Sequence, residues 1–233
     1  MRVVIAGGHG KIALLLERLL AERGDQAVGL IRNPAHVADV RNAGAEAIVC
    51  DLEAASVDDV TMLMSGADAV VFAAGAGPGS GAPRKDSVDR AASVLMAEAA
   101  ERAGVRRFVQ VSSMGAGQPP TPGRGEVWAA YITAKTAAEA DLSARDLDWT
   151  ILRPGGLTDA PATGRIRLAP PPIPAGTVPR ADVATVIAAL LDNPGTRHQT
   201  LELVSGDTPV AAAMHSMSLS QRPRIMTAAS GQS

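Results

Sequence analysis

"VIAGGHGKIALLLERLL", residues 4–20, joins a β-branched run to a leucine-rich helical period through Gly7, Gly8 and Gly10. Read from Gly8 the joint is GxGxxA, and read from Gly7 it is GxxGxxA. Such a pattern gains meaning from its neighbours, and here the strand "RVVIA" precedes it and the helix "KIALLLERLLAERG" follows. In that setting glycine lets the backbone turn tightly and approach a pyrophosphate. The helix then offers unpaired N–H groups and the positive end of its dipole, while Ala13 keeps helix and strand close.

Working outward, short β-branched runs alternate with helical periods. The strand candidates are "RVVIAG", "QAVGLIR", "AEAIVCDL", "ADAVVFAAG", "RRFVQVSS", "DWTILRPG" and "TLELVSG". Helices are expected at 11–23, 34–43, 56–64, 86–103, 131–145 and 181–191. Strict alternation predicts an α/β fold with a doubly wound, mostly parallel sheet of about seven strands and helices on both faces. "GAGPGSGAPR" (75–84) should be a loop at the carboxyl edge of the sheet, and "LAPPPIPAGTVPR" (168–180) an irregular cover or connection. One domain over 1–213 is expected, with a poorly ordered tail at 214–233.

The composition agrees with a single core. Of 233 residues, 46% are hydrophobic and 20% charged, enough to bury roughly 70% of the unfolded surface. A formal net charge of -2 and the lack of a long basic cluster speak against nucleic acid as a partner. The apolar start is far short of the ~20 residues that span a bilayer, so a cytoplasmic protein without a membrane partner is expected. Cys50 stands alone, which excludes an internal disulfide, and it reads as a strand thiol. His9, His36, His198 and His215 form no spaced ligand set, so no metal site is expected.

The second strand indicates the cofactor type. It ends "GLIRNP", with no acid between Gln26 and Ala38, and Arg32 stands where an acid would accept a ribose 2′-OH. A guanidinium there pairs with a 2′-phosphate, which favours NADP(H) over NAD(H). Lys11 and Ile12 at the helix start, Asn33 beside Arg32, and Ala73, Ala74 and Gly75 after the fourth strand are expected along the cofactor. Asp51 and Leu52 are placed to flank the adenine.

The chain has one tyrosine, Tyr131, and three lysines, and Lys135 lies four residues after the tyrosine in "YITAK". On a helix these share a face, and a neighbouring cation favours phenolate, making a phenol usable in proton transfer. The fifth strand ends "VQVSSMGA", placing Ser112 and Ser113 at the carboxyl edge, where either hydroxyl can bond a substrate carbonyl.

"AGGHGKIA", "LIRNP", "CDL", "VDR", "GVRRFVQVSS", "YITAK" and "LDWTILRPGGLTD" together resemble a short-chain dehydrogenase/reductase. The closer resemblance is to the atypical, NmrA-like or NAD(P)H-binding branch related to epimerase/dehydratases, over about residues 2–210. It implies that Tyr131 is the acid/base, that Lys135 orients the ribose and tunes the tyrosine, and that Ser113 or Ser112 positions the carbonyl. Asp89 in "SVDRAA" stands near the place of the family's usual asparagine. This departure puts the usual proton relay in doubt and suggests a charge-assisted bond to Lys135. "RPGGLTD" resembles the segment around the nicotinamide, with Pro154, Gly155, Gly156 and Leu157 along the ring.

The leading expectation is an NADP(H)-dependent oxidoreductase for a small carbonyl or alcohol, working as a monomer or homodimer. The alternatives are an epimerase or dehydratase that retains its cofactor, and a non-catalytic dinucleotide sensor. A Tyr131–Lys135 pair favours chemistry over sensing.

Overall fold

All residues of β1 (Arg2–Ala6) after the first are apolar because both faces of the strand are covered. Val3 and Ile5 enter one helical layer, Val4 and Ala6 the other, and none has exposed surface. The computed structural model describes residues 1–77 and 79–220. In it α1 (Lys11–Glu22) leads to β2 (Gln26–Ile31). A 3-10 turn (Pro34–His36) and α2 (Val37–Asn42) lead to β3 (Glu46–Val49), and α3 (Val57–Leu63) leads to β4 (Ala69–Phe72). A helical stretch then passes from α4 (Ala82–Arg84) through a π-helical turn (Lys85–Ala91) into α5 (Ala92–Ala103). Next come β5 (Arg107–Val111), α6 (Glu126–Ser143) and β6 (Asp148–Pro154). The final part holds β7 (Gly156–Thr158), β8 (Arg165–Ala169), β9 (Thr177–Pro179), α7 (Arg180–Leu191), β10 (Gln199–Ser205), β11 (Thr208–Pro209) and α8 (Val210–Ser220).

The local causes are ordinary ones. Ser56 and Asp59 form a reciprocal capping box at the start of α3. Ala13, Leu16 and Leu20 line one fully buried stripe of α1 that packs with α7 on the same face of the sheet. The opposite face carries α3, α5 and α6 over Phe72 and Phe108.

The main sheet has nine strands in the order β11-β8-β10-β6-β5-β4-β1-β2-β3. The seven expected strands are β1 to β6 and β10, and all pair in parallel. Two more join antiparallel at one edge, β8 on β10 and β11 on β8, while β7 and β9 form a separate parallel pair. The expected irregular stretch 168–180 therefore contains the end of β8 and all of β9. From β1 the chain winds outward through β2 and β3, then restarts at β4 on the other side. The carboxyl ends of β1 and β4 thus diverge at the glycine joint, the switch point where open α/β sheets take ligands.

One expectation is corrected here. The chain from Met214 to Ser220 is helical, not irregular, because Val210, Ala213 and Met214 of α8 pack into the core and Asn193 bonds the Met214 carbonyl at 2.9 Å. The rest of the expected tail, 221–233, lies outside the described residues. No described helix is long and apolar enough to cross a membrane.

Candidate dinucleotide cleft and active site

Gly7 has φ +79°, and a Cβ on it would lie 2.7 Å from the Cα of Ala74. On Gly8 a Cβ would come equally close to the Cα of Gly29 in β2. The glycines therefore serve the packing of β1 between β4 and β2 as well as the turn. The turn closes with the Gly10 amide on the Gly7 carbonyl at 2.8 Å. The amides of Lys11, Ile12 and Ala13 open α1 and have no acceptor within the helix.

Beside this turn lies a cleft of about 330 Å³ that unites Gly7, Gly10, Arg32, Asn33, Asp51, Leu52, Ala73, Ala74 and Gly75. Of the other expected cofactor residues, Gly8 faces Gly29, and Lys11, Ile12, Lys135 and 154–157 lie outside that lining. Lys11 instead bonds Asp159 at 2.5 Å, and Asp159 also holds Arg180 at 2.6 Å. Lys11 and Arg180 together keep the Asp159 carboxyl below its ordinary range, with the Lys11 hydrogen bond the larger cause. The glycine at 155 is required by the chain itself, since a Cβ there would collide with the Gly176 carbonyl oxygen. Leu157 is exposed.

Within the cleft, Arg32 bonds Glu53 at 2.9 Å. Arg84 bonds the same oxygen at 2.7 Å, and the Ser87 hydroxyl donates to the other at 2.6 Å. The Arg84 bond first, then that of Ser87, lowers the Glu53 carboxyl from its ordinary range. Asn33 and Asp51 line the cleft while their side chains accept the amides of Ala35 and Glu53 at 3.0 and 3.1 Å. Cys50 also lines it, and burial raises its thiol pKa. His9 and His36 stack ring on ring at 3.6 Å, with Asp39 at 2.8 Å from Nε2 of His9. Among the described residues no three metal-ligating side chains cluster.

Four of the five expected active-site residues, Tyr131, Lys135, Asp89 and Ser112, lie on α6 or bond to it. Lys135 is buried, donates to the Val111 carbonyl at 3.1 Å and pairs with buried Asp89 at 3.3 Å. The other oxygen of Asp89 accepts the amide of Ala76, a cleft residue, at 3.2 Å. The ammonium of Lys135 stands 5.8 Å from the centre of the Tyr131 ring. Trp128 packs against that ring at 5.5 Å. Ser112 is committed elsewhere: its hydroxyl donates to Glu139 at 2.5 Å, and Glu139 is clamped by Arg153. The Ser113 hydroxyl makes only a long 3.3 Å contact with the Met114 carbonyl among the described residues.

A family model described as NAD(P)H-binding matches residues 7–194. The chain belongs to the NAD(P)H-binding family. It is 34% identical over 215 residues to the uncharacterized sugar epimerase YhfK of Bacillus subtilis, spanning 92% of this chain and 99% of the relative. A Bacillus halodurans structure, named as a presumed NAD-dependent epimerase/dehydratase, is 34% identical and superposes with a TM-score of 0.85. It covers 93% of this chain and 99% of its own. The anaerobilin reductase ChuY of Escherichia coli O157:H7 is 27% identical with a TM-score of 0.74, covering 89% and 98%. The cleft fits the family's nicotinamide dinucleotide, since a tight glycine turn, the amide end of α1 and two arginines meet at one groove.

Three groups in this NAD(P)H-binding chain escaped the sequence reading. Arg84 and Glu53 meet across 31 residues, a contact no local pattern announces. Lys85 is buried in the π-helical turn, donates to the Gly77 carbonyl at 2.9 Å and stands 5.4 Å from the centre of the Tyr131 ring. The scarcity of lysine was its available signal, since two of only three lysines converge on the single tyrosine. Under the glycine joint, Glu17 of α1 is completely buried and both its carboxyl oxygens lack a partner. Burial raises its pKa to about 8.

Proposed function

We propose that the chain is an NADP(H)-dependent oxidoreductase acting on a small carbonyl compound or the matching alcohol. The buried Asp89–Lys135 pair is the observation that carries this reading. One carboxylate oxygen is tied to the cleft wall at Ala76, and the other faces a lysine set beside the sole tyrosine. The amide end of α1 and the turn at Gly7 and Gly10 would hold the diphosphate, and Arg32 the adenosine 2′-phosphate. When bound, the nicotinamide supplies or accepts the hydride.

This chain's residues do the rest. The Tyr131 hydroxyl gives a proton to the carbonyl oxygen in reduction and takes it back in oxidation. Ser113 hydrogen-bonds that oxygen, a role open to it because Ser112 is held by Glu139. Lys135, fixed by Asp89 and the Val111 carbonyl, keeps a positive charge beside the phenol.

Mixing the protein with NADPH and a panel of small aldehydes, ketones and quinones tests the reading through loss of the reduced-nicotinamide absorbance. Oxidation of NADPH is expected, and tight binding without turnover on any substrate would favour a sensor. The names of YhfK and the Bacillus halodurans protein favour a second reading, epimerisation or dehydration of a sugar derivative. It would show as product formed from a nucleotide sugar with no net change in cofactor.

Arg32→Ala is expected to reduce the preference for NADPH over NADH by about 10- to 100-fold, the worth of a charged hydrogen bond of about 1.5–3 kcal/mol. Paired equilibrium titrations check it, and an unchanged preference removes Arg32 from the 2′-phosphate.

A further inference from the structure

Around Tyr131 the chain holds hydrogen-bond donors that it does not itself satisfy. Lys85 keeps only 8% of its surface exposed, yet among the described residues its ammonium meets one neutral acceptor, the Gly77 carbonyl at 2.9 Å, and the Tyr131 ring at 5.4 Å. The acids near it in sequence are engaged elsewhere, Asp86 with Arg90 at 2.7 Å and Asp89 with Lys135 at 3.3 Å. Lys135 thus has a counter-ion, and Lys85 has none among the described residues. A buried ammonium bonded to a single carbonyl is costly unless an anion completes its shell. One turn earlier on α6, Trp128 packs on the Tyr131 ring at 5.5 Å, and its indole Nε1 is buried without an acceptor. The guanidinium of Arg124 lies 3.7 Å from the centre of the Trp128 ring and pairs with no acid among the described residues. Neither Tyr131 nor any of these three lines the dinucleotide cleft, so the unmet charge falls outside the site argued for the cofactor.

We infer that Lys85, with Trp128 and Arg124 beside it, binds an anionic group of the substrate, which is therefore a small carbonyl compound carrying a carboxylate or a phosphate. The inference deepens the oxidoreductase reading above and rests on it. The oxygens of such a group supply the acceptors that the ammonium and the indole lack, and its charge offsets Lys85 and Arg124. Because Lys85 stands beside the phenol ring, an anion held there also fixes the neighbouring carbonyl against Tyr131 and Ser113. The anionic group is bound and is not itself transformed.

The test follows NADPH oxidation with matched substrates: pyruvate and levulinate, each beside its methyl ester, and glyceraldehyde phosphate beside glyceraldehyde. The parent, Lys85→Met and Arg124→Gln are compared as full chains. In the parent, kcat/KM for an anionic member is expected to exceed that of its neutral counterpart by about 10- to 100-fold, the worth of a charge-assisted hydrogen bond, and the carboxylate and phosphate pairs report which group is taken. Lys85→Met abolishes that ratio, mainly through KM, and the exposed change Arg124→Gln lowers it by about 2- to 5-fold. Direct titration gives the parent's NADPH affinity in both variants. A merely structural Lys85 would slow both members of a pair alike and leave their ratio intact, and a cofactor-binding Lys85 would weaken NADPH; either result overturns the inference. So does a parent that reduces the neutral members as readily as the anionic ones, which leaves the oxidoreductase reading standing. No oxidation of NADPH with any member overturns both. Should Lys85→Met fail to fold, the parent's ratio and its drop in Arg124→Gln decide together.

Discussion

Tyr131→Phe is expected to lower kcat by about 10²- to 10⁴-fold, the usual contribution of a positioned acid or base, and to leave NADPH affinity where it was. Phenylalanine keeps the ring that packs on Trp128 and faces the ammonium groups of Lys85 and Lys135, so the substitution subtracts one hydroxyl and little else. Tyr131 also lies outside the lining of the adenosine-side cleft, which is why binding should be spared. Single-turnover reduction of the best substrate from the panel, with direct cofactor titration alongside, separates the two quantities. Equal rates in parent and variant would remove the phenol from the chemistry; equal losses of rate and affinity would make it a packing residue.

Glu17→Gln is expected to remove a large pH dependence of stability. Burial lifts the folded-state pKa of Glu17 from 4.5 to about 8. Below the lower value both folded and unfolded chains hold the proton, and Glu17 contributes no slope. Between the two values the unfolded chain releases the proton and the folded chain retains it, so stability falls as pH rises, by up to about 1.4 kcal/mol per unit. Above the upper value the difference stops growing. Glutamine cannot ionise, so the variant should gain on the parent steadily through this window, by up to about 3 kcal/mol at neutral pH. Urea unfolding at several pH values measures the difference, and parallel profiles would show that Glu17 ionises in the folded chain as easily as in water. The neutral form also suits its place, because a buried anion under the glycine joint would oppose the phosphates that the amides of α1 attract.

The parallel strands, the glycine joint and the Tyr131–Lys135 face could be read from sequence because each rests on a local pattern: short continuous apolar runs set between helical periods, a turn between elements, a four-residue helical spacing. What escaped depends on distant partners. Ser112 and Ser113 are equivalent in sequence, and Glu139, 27 residues away, engages the hydroxyl of the first. Gly155 reads as room for a ligand, and the need for glycine that the fold itself imposes there, a close approach of the Gly176 carbonyl oxygen, comes from a segment 21 residues away. Lys85 falls in a π-helical turn, where 3.6-residue spacing does not say which side chains meet. For α8 the signal was present: Val210, Ala213, Met214 and Met217 follow a helical stripe, and the interspersed alanine and serine blur its contrast.

The placement of the three lysines has a practical side. Lys85 and Lys135 are shielded by the fold, while Lys11 keeps 66% of its side chain exposed at the start of α1, on its bond with Asp159. An amine-directed reagent used on the folded chain thus meets one open lysine besides the terminal amino group. A dye or cross-linker coupled there would follow directly on Gly10 of the candidate cleft, so a change in its emission or reach on adding NADPH would test whether that cleft takes the dinucleotide.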